Sequence, residues 1–231
     1  MKTLREIFWG LSKHADKWDP YFDVYDTHFG RFRGRAPRLL EIGVQHGGSS
    51  QMWLDYFGEG TRIVGVDIDP RCAQHAQPAV EIVIGDQGSD AFWRGFFEER
   101  PEPFDIVIDD GSHYQRDMIL TFLLAAPHVR DGGVFLVEDT HTSYYPHHQI
   151  PPRAPDPDTG LYGKNSFMEF AKAGADMLNL GHIHDRSRFH PMLAQSYERV
   201  TGMHVYDSVV VYDIGTRRPF SRCLNDGQRM F

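Results

Sequence analysis

Short, continuously apolar runs alternate with amphipathic stretches between residues 36 and 139. The apolar runs are RLLEIGV, RIVGVDI, VEIVIGD, FDIVIDD and GGVFLVED, and the amphipathic stretches include SQMWLDYF, AFWRGFFEE and DMILTFLLAAPHV. Apolar, β-branched runs without alternation are typical of strands that are buried on both faces. Five such strands alternating with helices predict a doubly wound α/β domain with a mostly parallel sheet.

The two ends of the chain follow other patterns. Apolar positions at helical spacing predict a helix over residues 4–18, and we expect residues 1–35 to form a helical or lid segment beside a main domain of residues 36–231. Residues 141–163 contain five prolines and predict a long loop after the fifth strand. A helix is predicted over residues 165–180, and HVYDSVVVYDIG predicts two final strands that are joined near Asp207–Ser208, for seven strands in all.

Composition narrows the class of protein. The 231 residues are 41% hydrophobic and 24% charged, which is typical of a globular protein, and the net charge of -8 argues against nucleic-acid binding. The two cysteines, Cys72 and Cys223, are far apart in sequence and favour a reducing compartment over a disulfide framework, although one disulfide between them stays open. No run approaches the roughly 20 apolar residues of a membrane span. We therefore expect a cytoplasmic protein.

A glycine-containing turn follows the first predicted strand. Its pattern is E-x-G-x-x-x-G, in which Gly43 and Gly47 allow a tight turn and Ser49 opens a helix with free N–H groups. This spacing differs from the G-x-G-x-x-G that binds a pyrophosphate, and it suits an adenosyl amino acid whose ammonium group faces Glu41. A purely structural turn is the alternative.

Acidic residues also end the second and third predicted strands. Asp67 is the candidate for the ribose diol, with Asp69 as the reserve because it precedes a proline and could cap the next helix. Asp86 and the neighbouring Gln87 are candidates for the adenine, and a helix-capping role is the alternative for Asp86. Ligands of open α/β sheets lie outside the carboxyl ends of the strands, so these positions predict a cofactor site.

The fourth and fifth predicted strands each end in two adjacent acids. Carboxylates that converge at one edge of a sheet repel each other unless a cation lies between them, and oxygen ligands suit Mg²⁺. We predict that Asp110, Glu138 and Asp139 hold this ion, while Asp109 either points into its strand neighbourhood or contacts the cofactor. Capping of the following helices is the alternative.

Two histidines lie beside these acids in the sequence. His113 follows Asp110 by three residues, and a histidine titrates near neutral pH, so it is the candidate general base for a hydroxyl group. His141 is the second candidate.

Several segments together resemble the metal-dependent sugar O-methyltransferases, which include macrolide deoxysugar and tetracenomycin rhamnosyl enzymes and relatives that are labelled cephalosporin hydroxylases. The segments are LEIGVQHGGSSQMWLDYF, IVGVDID, IGDQ, FDIVIDDGSH and GGVFLVEDTHTSYYP, and the resemblance is close over residues 36–146. It implies the class I methyltransferase fold, S-adenosylmethionine and Mg²⁺ as cofactors, and His113 as the base.

The resemblance further implies a small-molecule or oligosaccharide acceptor and a homo-oligomer. The acceptor would be a sugar or glycoside hydroxyl, on a natural-product deoxysugar or on a methylated mannose or rhamnose glycan, and Tyr144 and Tyr145 would contact it. Macrolide enzymes carry an additional amino-terminal domain, for which only the first 35 residues could substitute here, and the proline-rich loop leaves the acceptor's identity open.

Three other functions compete with this interpretation. A catechol or other phenolic acceptor is the nearest, although catechol enzymes usually have an Asp-Asn pair where this chain has Glu138 and Asp139. An iron oxygenase would require a facial triad, which His113, His141 and Asp110 could formally supply. A cofactor-binding protein without enzymatic activity would have no need for the clustered acids.

Overall fold

The central sheet has seven strands in a computed structural model of the chain, which describes residues 2–148, 165–183, 191–218, 220, 222–223 and 229–230. The strands are β1 (Arg38–Ile42), β2 (Arg62–Asp67), β3 (Val80–Ile84), β4 (Phe104–Asp109), β5 (Val129–Val137), β6 (Val200–Tyr206) and β7 (Val209–Ile214). Their order is β3-β2-β1-β4-β5-β7-β6, in which the first five are parallel and β7 is antiparallel to both of its neighbours. The predicted doubly wound α/β fold is confirmed.

Helices cover both faces of this sheet. They are α1 (Leu4–Phe8), α2 (Tyr21–Phe29), α3 (Gly48–Phe57), α4 (Asp90–Glu99), α5 (Gln115–Ala125), α6 (Phe167–Leu178) and α7 (Pro191–Ser196). A separate two-stranded ribbon consists of β8 (Arg222–Cys223) and β9 (Arg229–Met230).

The core has two parts because successive strand residues point to opposite faces. In β4, Val107 packs on the side of α4, α5 and α6, whereas Ile106 and Ile108 pack on the side of α2 and α3. Both faces of the sheet are apolar, which explains why the strands appear in the sequence as continuous hydrophobic runs. The aromatic side chains of Trp53 and Trp93 are fully buried, one in each part.

The helix predicted over residues 4–18 is wrong beyond Phe8. A capping box formed by Thr3 and Glu6 starts α1, and the helix ends at Phe8. Residues 12–18, which we call the strap, run without helical structure across the start of α3. Their sequence, SKHADKW, lacks an apolar face at helical spacing, so nothing in it favours a helix over contacts with distant residues.

The helix and the two strands predicted near the end of the chain are confirmed. Helix α6 occupies most of the predicted range, and Gly174 lies where the hydroxyl of Tyr197 packs, which leaves no room for a side chain. Strands β6 and β7 are joined at Asp207–Ser208 as expected. The predicted loop of residues 141–163 is described only to residue 148, where it forms two short 3₁₀ turns, and its remainder lies outside the described residues.

Two further observations concern cysteine and membranes. Cys72 is free and buried, while the side chain of Cys223 lies outside the described part of the chain. Of the helices that the structure describes, none combines the length and apolarity needed to cross a bilayer.

Candidate active site

Three cavities follow one another along the carboxyl ends of the parallel strands. The first, about 180 Å³, lies over β1, β2 and β3, and the second, about 320 Å³, lies between the glycine turn, the strap and the ends of β4 and β5. The third, about 250 Å³, is lined by three aromatic residues and His141, together with Pro20, Asp207 and Ser208. Gly43 and Asp110 line both the first and second cavities, and Trp18 and His141 line both the second and third. This is the edge at which ligands of open α/β sheets bind.

Asp67 is held at the first cavity by backbone groups. Its Oδ2 accepts hydrogen bonds from the N–H groups of Val44 (2.9 Å) and Gln45 (3.0 Å), and its Oδ1 accepts one from the N–H of Asp69 (2.9 Å). Burial opposes ionisation, but these N–H groups outweigh it and lower the pKa of Asp67. The carboxylate is therefore charged and fixed in orientation.

The neighbouring acids differ in their surroundings. Asp69 caps the following 3₁₀ turn and pairs with Arg71, as the capping alternative predicts, and it does not line the first cavity. Asp86 and Gln87 do line it. Asp86 accepts a hydrogen bond from the N–H of Gly88 (2.8 Å), so its side chain shapes the turn after β3.

The glycine turn is packed tightly. Gly43 has φ +92° and a Cβ there would overlap the carbonyl oxygen of Asp110, while Gly47 has φ +70° and a Cβ there would lie 2.9 Å from the ring of His75. The turn thus requires glycine at both positions whether or not a cofactor binds. Ser49, the next predicted residue, is buried and lines the second cavity.

Glu41 lies away from the cavities. Its carboxylate accepts hydrogen bonds from Ser50 Oγ (2.6 Å) and Trp53 Nε1 (2.8 Å), and burial raises its pKa. Glu41 lines none of the three cavities. The structure therefore gives it a role in joining α3 to β1 and does not bring it to the predicted cofactor site.

The three acids predicted to hold a metal come together at the second cavity. Asp110, Glu138 and Asp139 all line it. Between two of them lies a cation from the strap, because Nζ of Lys17 donates hydrogen bonds to Asp110 Oδ2 and to Glu138 Oε2, the latter at 2.8 Å. Burial alone would lower the pKa of Lys17, but the two carboxylates reverse this effect and raise it, so the ammonium group is charged.

Two tyrosines of α2 support the same acids. Tyr25 donates to Glu138 Oε1 (2.7 Å), and Tyr21 donates to Asp139 Oδ1 (2.6 Å). Glu138 is 1% exposed, and its burial together with the charge of Asp110 raises its pKa. Every oxygen of the Glu138 carboxylate is thus hydrogen-bonded within the protein.

Asp109 faces the interior, which is the first of its two predicted placements. Its Oδ1 accepts a hydrogen bond from Gln87 Nε2 (2.7 Å), whose own Oε1 accepts one from the N–H of Ser112 (2.8 Å). Its Oδ2 is buried without a partner, and burial raises the pKa of Asp109 to about 7. The residue lines none of the three cavities.

His113 lies among the carboxylates. Its Nε2 is 3.4 Å from Asp139 Oδ2 and 3.9 Å from Asp110 Oδ1. The ligand atoms of these three residues all lie within 4.8 Å of one another. His141 also lines the second cavity, where its Nδ1 forms a hydrogen bond with Ser208 Oγ and is 3.8 Å from Asp139 Oδ1. The cluster contains a single histidine, so the facial triad that an iron oxygenase requires is not assembled here.

Backbone strain is concentrated at this edge. Of the five described non-glycine residues with positive φ, four line the cavities: Gln45 (φ +47°), His113 (φ +55°), Asp139 (φ +54°) and Ser208 (φ +65°). Non-glycine residues in the left-handed region are uncommon and cost energy, and they cluster at functional sites.

The predicted acceptor residues lie at the far end of the row. Tyr144 and Tyr145 are both exposed, and only Tyr145 lines one of the three cavities, the third, with Trp18, Tyr21 and His141.

The sequence interpretation missed four residues at this site: Lys17, Tyr21, Tyr25 and Ser208. They come from α2, the strap and the β6–β7 turn, about 70 to 120 positions away from their partners. The one signal in the sequence is the aromatic-rich stretch of residues 21–29 (YFDVYDTHF), and it gives no indication of which tyrosines face carboxylates.

A second group of potential metal ligands lies outside the cavities. It consists of His28, His204 and Asp213, whose ligand atoms lie within 4.8 Å of one another. Each histidine already has a partner, since His28 Nε2 is 2.9 Å from Tyr206 Oη and His204 Nε2 is 2.9 Å from Asp213 Oδ2. These contacts connect α2 to the antiparallel edge of the sheet.

Comparison with known protein families shows that the chain contains a methyltransferase domain. Residues 40–140 match the family model of a methyltransferase domain. The chain is 39% identical over 145 residues to 8-demethyl-8-α-L-rhamnosyl tetracenomycin-C 2'-O-methyltransferase of Streptomyces olivaceus. This match covers 59% of this chain and 38% of that protein. The chain is also 35% identical over 199 residues to demethylmacrocin O-methyltransferase of Streptomyces fradiae. This second match covers 83% of this chain and 47% of that protein.

Solved structures agree with this relationship. MycE methyltransferase of the mycinamycin biosynthetic pathway, in complex with Mg and SAH, matches with a TM-score of 0.79 and 28% identity over 94% of this chain and 54% of that chain. The protein has the class I methyltransferase fold. It is a relative of the sugar O-methyltransferases of macrolide and tetracenomycin pathways, and it spans about half the length of the relatives it matches, or less.

Proposed function

We propose that the protein transfers a methyl group from S-adenosylmethionine to a hydroxyl of a sugar or glycoside, with Mg²⁺ held by Asp110, Glu138 and Asp139. One observation carries the proposal: the carboxylates and His113 meet at the sheet edge that also presents Asp67 and Asp86. The relatives support it, because one MycE structure contains Mg, SAH and mycinamycin VI together.

The residues of the second cavity fit a divalent cation. The ammonium of Lys17 lies between Asp110 and Glu138, so these carboxylates already converge on a positive charge, and a third carboxylate, that of Asp139, lines the same cavity. All three are hard oxygen ligands, which Mg²⁺ prefers. When bound, the ion would stabilise the negative charge that develops on the acceptor oxygen.

The first cavity fits the nucleoside of the cofactor. The fixed, charged carboxylate of Asp67 can accept hydrogen bonds from the two hydroxyls of a ribose, and Asp86 and Gln87, which line the same cavity, are the candidates for the adenine. Gly43 and Ser49 border the second cavity, where the methionine portion would lie beside the carboxylates.

His113 is the proposed base. It accepts the proton of the acceptor hydroxyl while that oxygen takes the methyl group, and its Nε2 lies beside the proposed metal ligands, 3.4 Å from Asp139 Oδ2 and 3.9 Å from Asp110 Oδ1. His141 is bound to Ser208 and is the weaker candidate. The aromatic third cavity, where Trp18 and Tyr145 present flat apolar surfaces, suits the ring of a small-molecule or oligosaccharide acceptor.

Methyl transfer to a panel of deoxysugar glycosides and catechols tests the reaction class. We expect activity on glycosides that is lost with EDTA and restored by Mg²⁺, and a loss of about 10²- to 10⁴-fold in kcat for His113→Ala with unchanged affinity for S-adenosylhomocysteine. Turnover that ignores EDTA would refute the metal, and a preference for catechols would refute the acceptor class.

The cofactor site has its own test with a matched control. Asp67→Asn replaces one carboxylate oxygen with an amide NH₂ group, which cannot accept hydrogen bonds from the backbone N–H groups that orient the side chain. The Kd for S-adenosylhomocysteine should therefore rise at least about tenfold, which corresponds to about 1.4 kcal/mol. Asp69→Asn, two positions away and paired with Arg71, should leave the Kd unchanged. Equal effects of both changes would contradict the assignment. Light scattering tests the homo-oligomer that the resemblance of the sequence implies.

A further inference from the structure

Lys17 holds the position at which a metal ion would meet two of its proposed ligands. Its side chain is 2% exposed, and its Nζ donates to Asp110 and Glu138. A buried ammonium is costly unless charged partners surround it, so this contact accounts for the charge of Lys17. It also supplies the buried Glu138 with a cationic partner.

A divalent ion on the same two carboxylates would lie a few ångströms from the ammonium, and the two positive charges would repel each other. Nζ is 2.8 Å from Glu138 Oε2, a hydrogen-bond distance, whereas Mg²⁺ binds oxygen at about 2.1 Å and draws all its ligands to one point. The other oxygen of Glu138 is taken by Tyr25. A metal held by Glu138 and Asp110 therefore escapes this repulsion when Lys17 withdraws.

Withdrawal of Lys17 would move the strap, which local contacts hold on either side of Lys17, among them the hydrogen bonds from Ser12 Oγ to Gln51 Oε1 (3.1 Å) and from the N–H of Tyr21 to the carbonyl of Trp18 (3.0 Å). On one side the N–H of Lys13 donates to Gln51 Oε1 (3.3 Å), and the carbonyl of His14 lies against Gly48. On the other side the ring of Trp18 lies edge-on to His141, with centroids 6.2 Å apart. The described strap contains no helix or strand, so no regular backbone ladder has to break.

The strap also forms one wall of the cavity that the proposed cofactor and metal would share. Five consecutive residues, 14–18, line the second cavity opposite Gly43 and Ser49. A change in the position of Lys17 therefore changes the access to that cavity.

We propose that Lys17 is a tethered counter-ion that competes with the divalent cation, so that metal binding releases the strap from the second cavity. The inference rests on the proposed function, because it takes the metal to bind at Asp110, Glu138 and Asp139. Lys17 is on this view a positioning residue, which keeps the carboxylates together until the ion replaces it.

Calorimetric titration of the full chain with Mg²⁺ tests the competition. Lys17→Met keeps the length and apolar stem but removes the charge, and it should tighten Mg²⁺ binding by about 5- to 150-fold, the range typical of coupled binding events. Lys13→Met, in the same strap but outside the carboxylate cluster, should leave the affinity unchanged. Unchanged or weaker binding by Lys17→Met would overturn the inference. Absence of Mg²⁺ binding by every variant would instead refute the metal of the proposed function, and the inference with it.

Lysine acetylation followed by mass spectrometry tests the release of the strap in the unmodified protein. The chain has five lysines, and the exposed Lys172 provides an internal reference. Lys17 should react far more slowly than Lys172 without Mg²⁺ and approach its rate when Mg²⁺ saturates the protein. Protection of Lys17 that persists in the metal-bound protein would show that the two cations coexist, and it would overturn the inference while leaving the metal site intact.

Discussion

Tyr25 donates a hydrogen bond of 2.7 Å to Oε1 of Glu138, a residue 113 positions away in the sequence. Both side chains are buried, so α2 is joined to the end of β5 through a contact that water does not reach. The candidate active site is thus part of the packing between the amino-terminal helices and the sheet.

Tyr25→Phe should therefore destabilise the protein. The change keeps the ring, which packs against Trp53, but leaves Glu138 Oε1 buried without this donor. A buried polar atom that loses its partner costs about 1–3 kcal/mol, and urea unfolding should show a decrease of that size in the free energy of unfolding.

Tyr56→Phe is the matched control for this prediction. Tyr56 donates a hydrogen bond of 2.6 Å to Asp26, which is not a buried residue. Because water can replace that donor, the loss should be smaller than for Tyr25→Phe. Equal losses in the two variants would show that burial of Glu138 does not determine the energetics of the contact.

The sequence predicts the sheet and the row of acids for a simple physical reason. Apolar runs identify buried parallel strands, and the carboxyl ends of parallel strands share an edge, so Asp67, Asp86, Asp110 and Glu138 are brought to one side without any knowledge of side-chain geometry. The orientation of each side chain is not contained in that argument. Glu41 also lies near the carboxyl end of a parallel strand, β1, yet its hydrogen bonds with Ser50 and Trp53 hold it in the interior.

The amino-terminal segment could not be predicted in the same way. Four apolar residues at helical spacing suggested one helix over residues 4–18, but the last of them is Leu11, and the rest of the range has no such face. Lys17 is placed by charges that are contributed from β4 and β5, 93 and 121 positions away. Local propensity contains no information about such partners.

Gly48→Ala should disturb the strap. A Cβ on Gly48 would overlap the carbonyl oxygen of His14 and lie 2.9 Å from the Cβ of Ala15, so the strap has to shift away from α3. Overpacking of this kind costs about 1–3 kcal/mol, and hydrogen exchange at the amide of Lys13, which is bonded to Gln51, should become faster.

Gly95→Ala serves as the control, because nothing lies within 4 Å of a Cβ at this position in α4. Alanine is the better helix former, so this change should stabilise the protein by about 0.5–1 kcal/mol and leave exchange in the strap unaltered. Slow exchange at Lys13 in Gly48→Ala would contradict the close approach of the strap to α3.

The buried His28 predicts a specific response to acid. Burial lowers its pKa, and the neighbouring His204 and Arg31 lower it further while Asp213 opposes them. Its Nε2 forms a hydrogen bond with Tyr206 Oη. The unfolded chain, where the pKa of histidine is about 6.5, then binds a proton more readily than the folded protein does. The stabilising contribution of neutral His28 is complete above that pH and is lost as the pH falls below it.

His28→Gln removes the titrating group and keeps an amide that can reach Tyr206. Between pH 7.5 and pH 5 the variant should lose less free energy of unfolding than the unmodified protein, because it lacks the group whose pKa is lower in the folded protein than in the unfolded chain. Urea unfolding at the two pH values measures this difference. His182→Gln, at an exposed position after α6, should keep the full acid response. If His28→Gln and the unmodified protein lose the same free energy of unfolding at pH 5, proton uptake by other groups causes the acid response, and His28 does not contribute to the response.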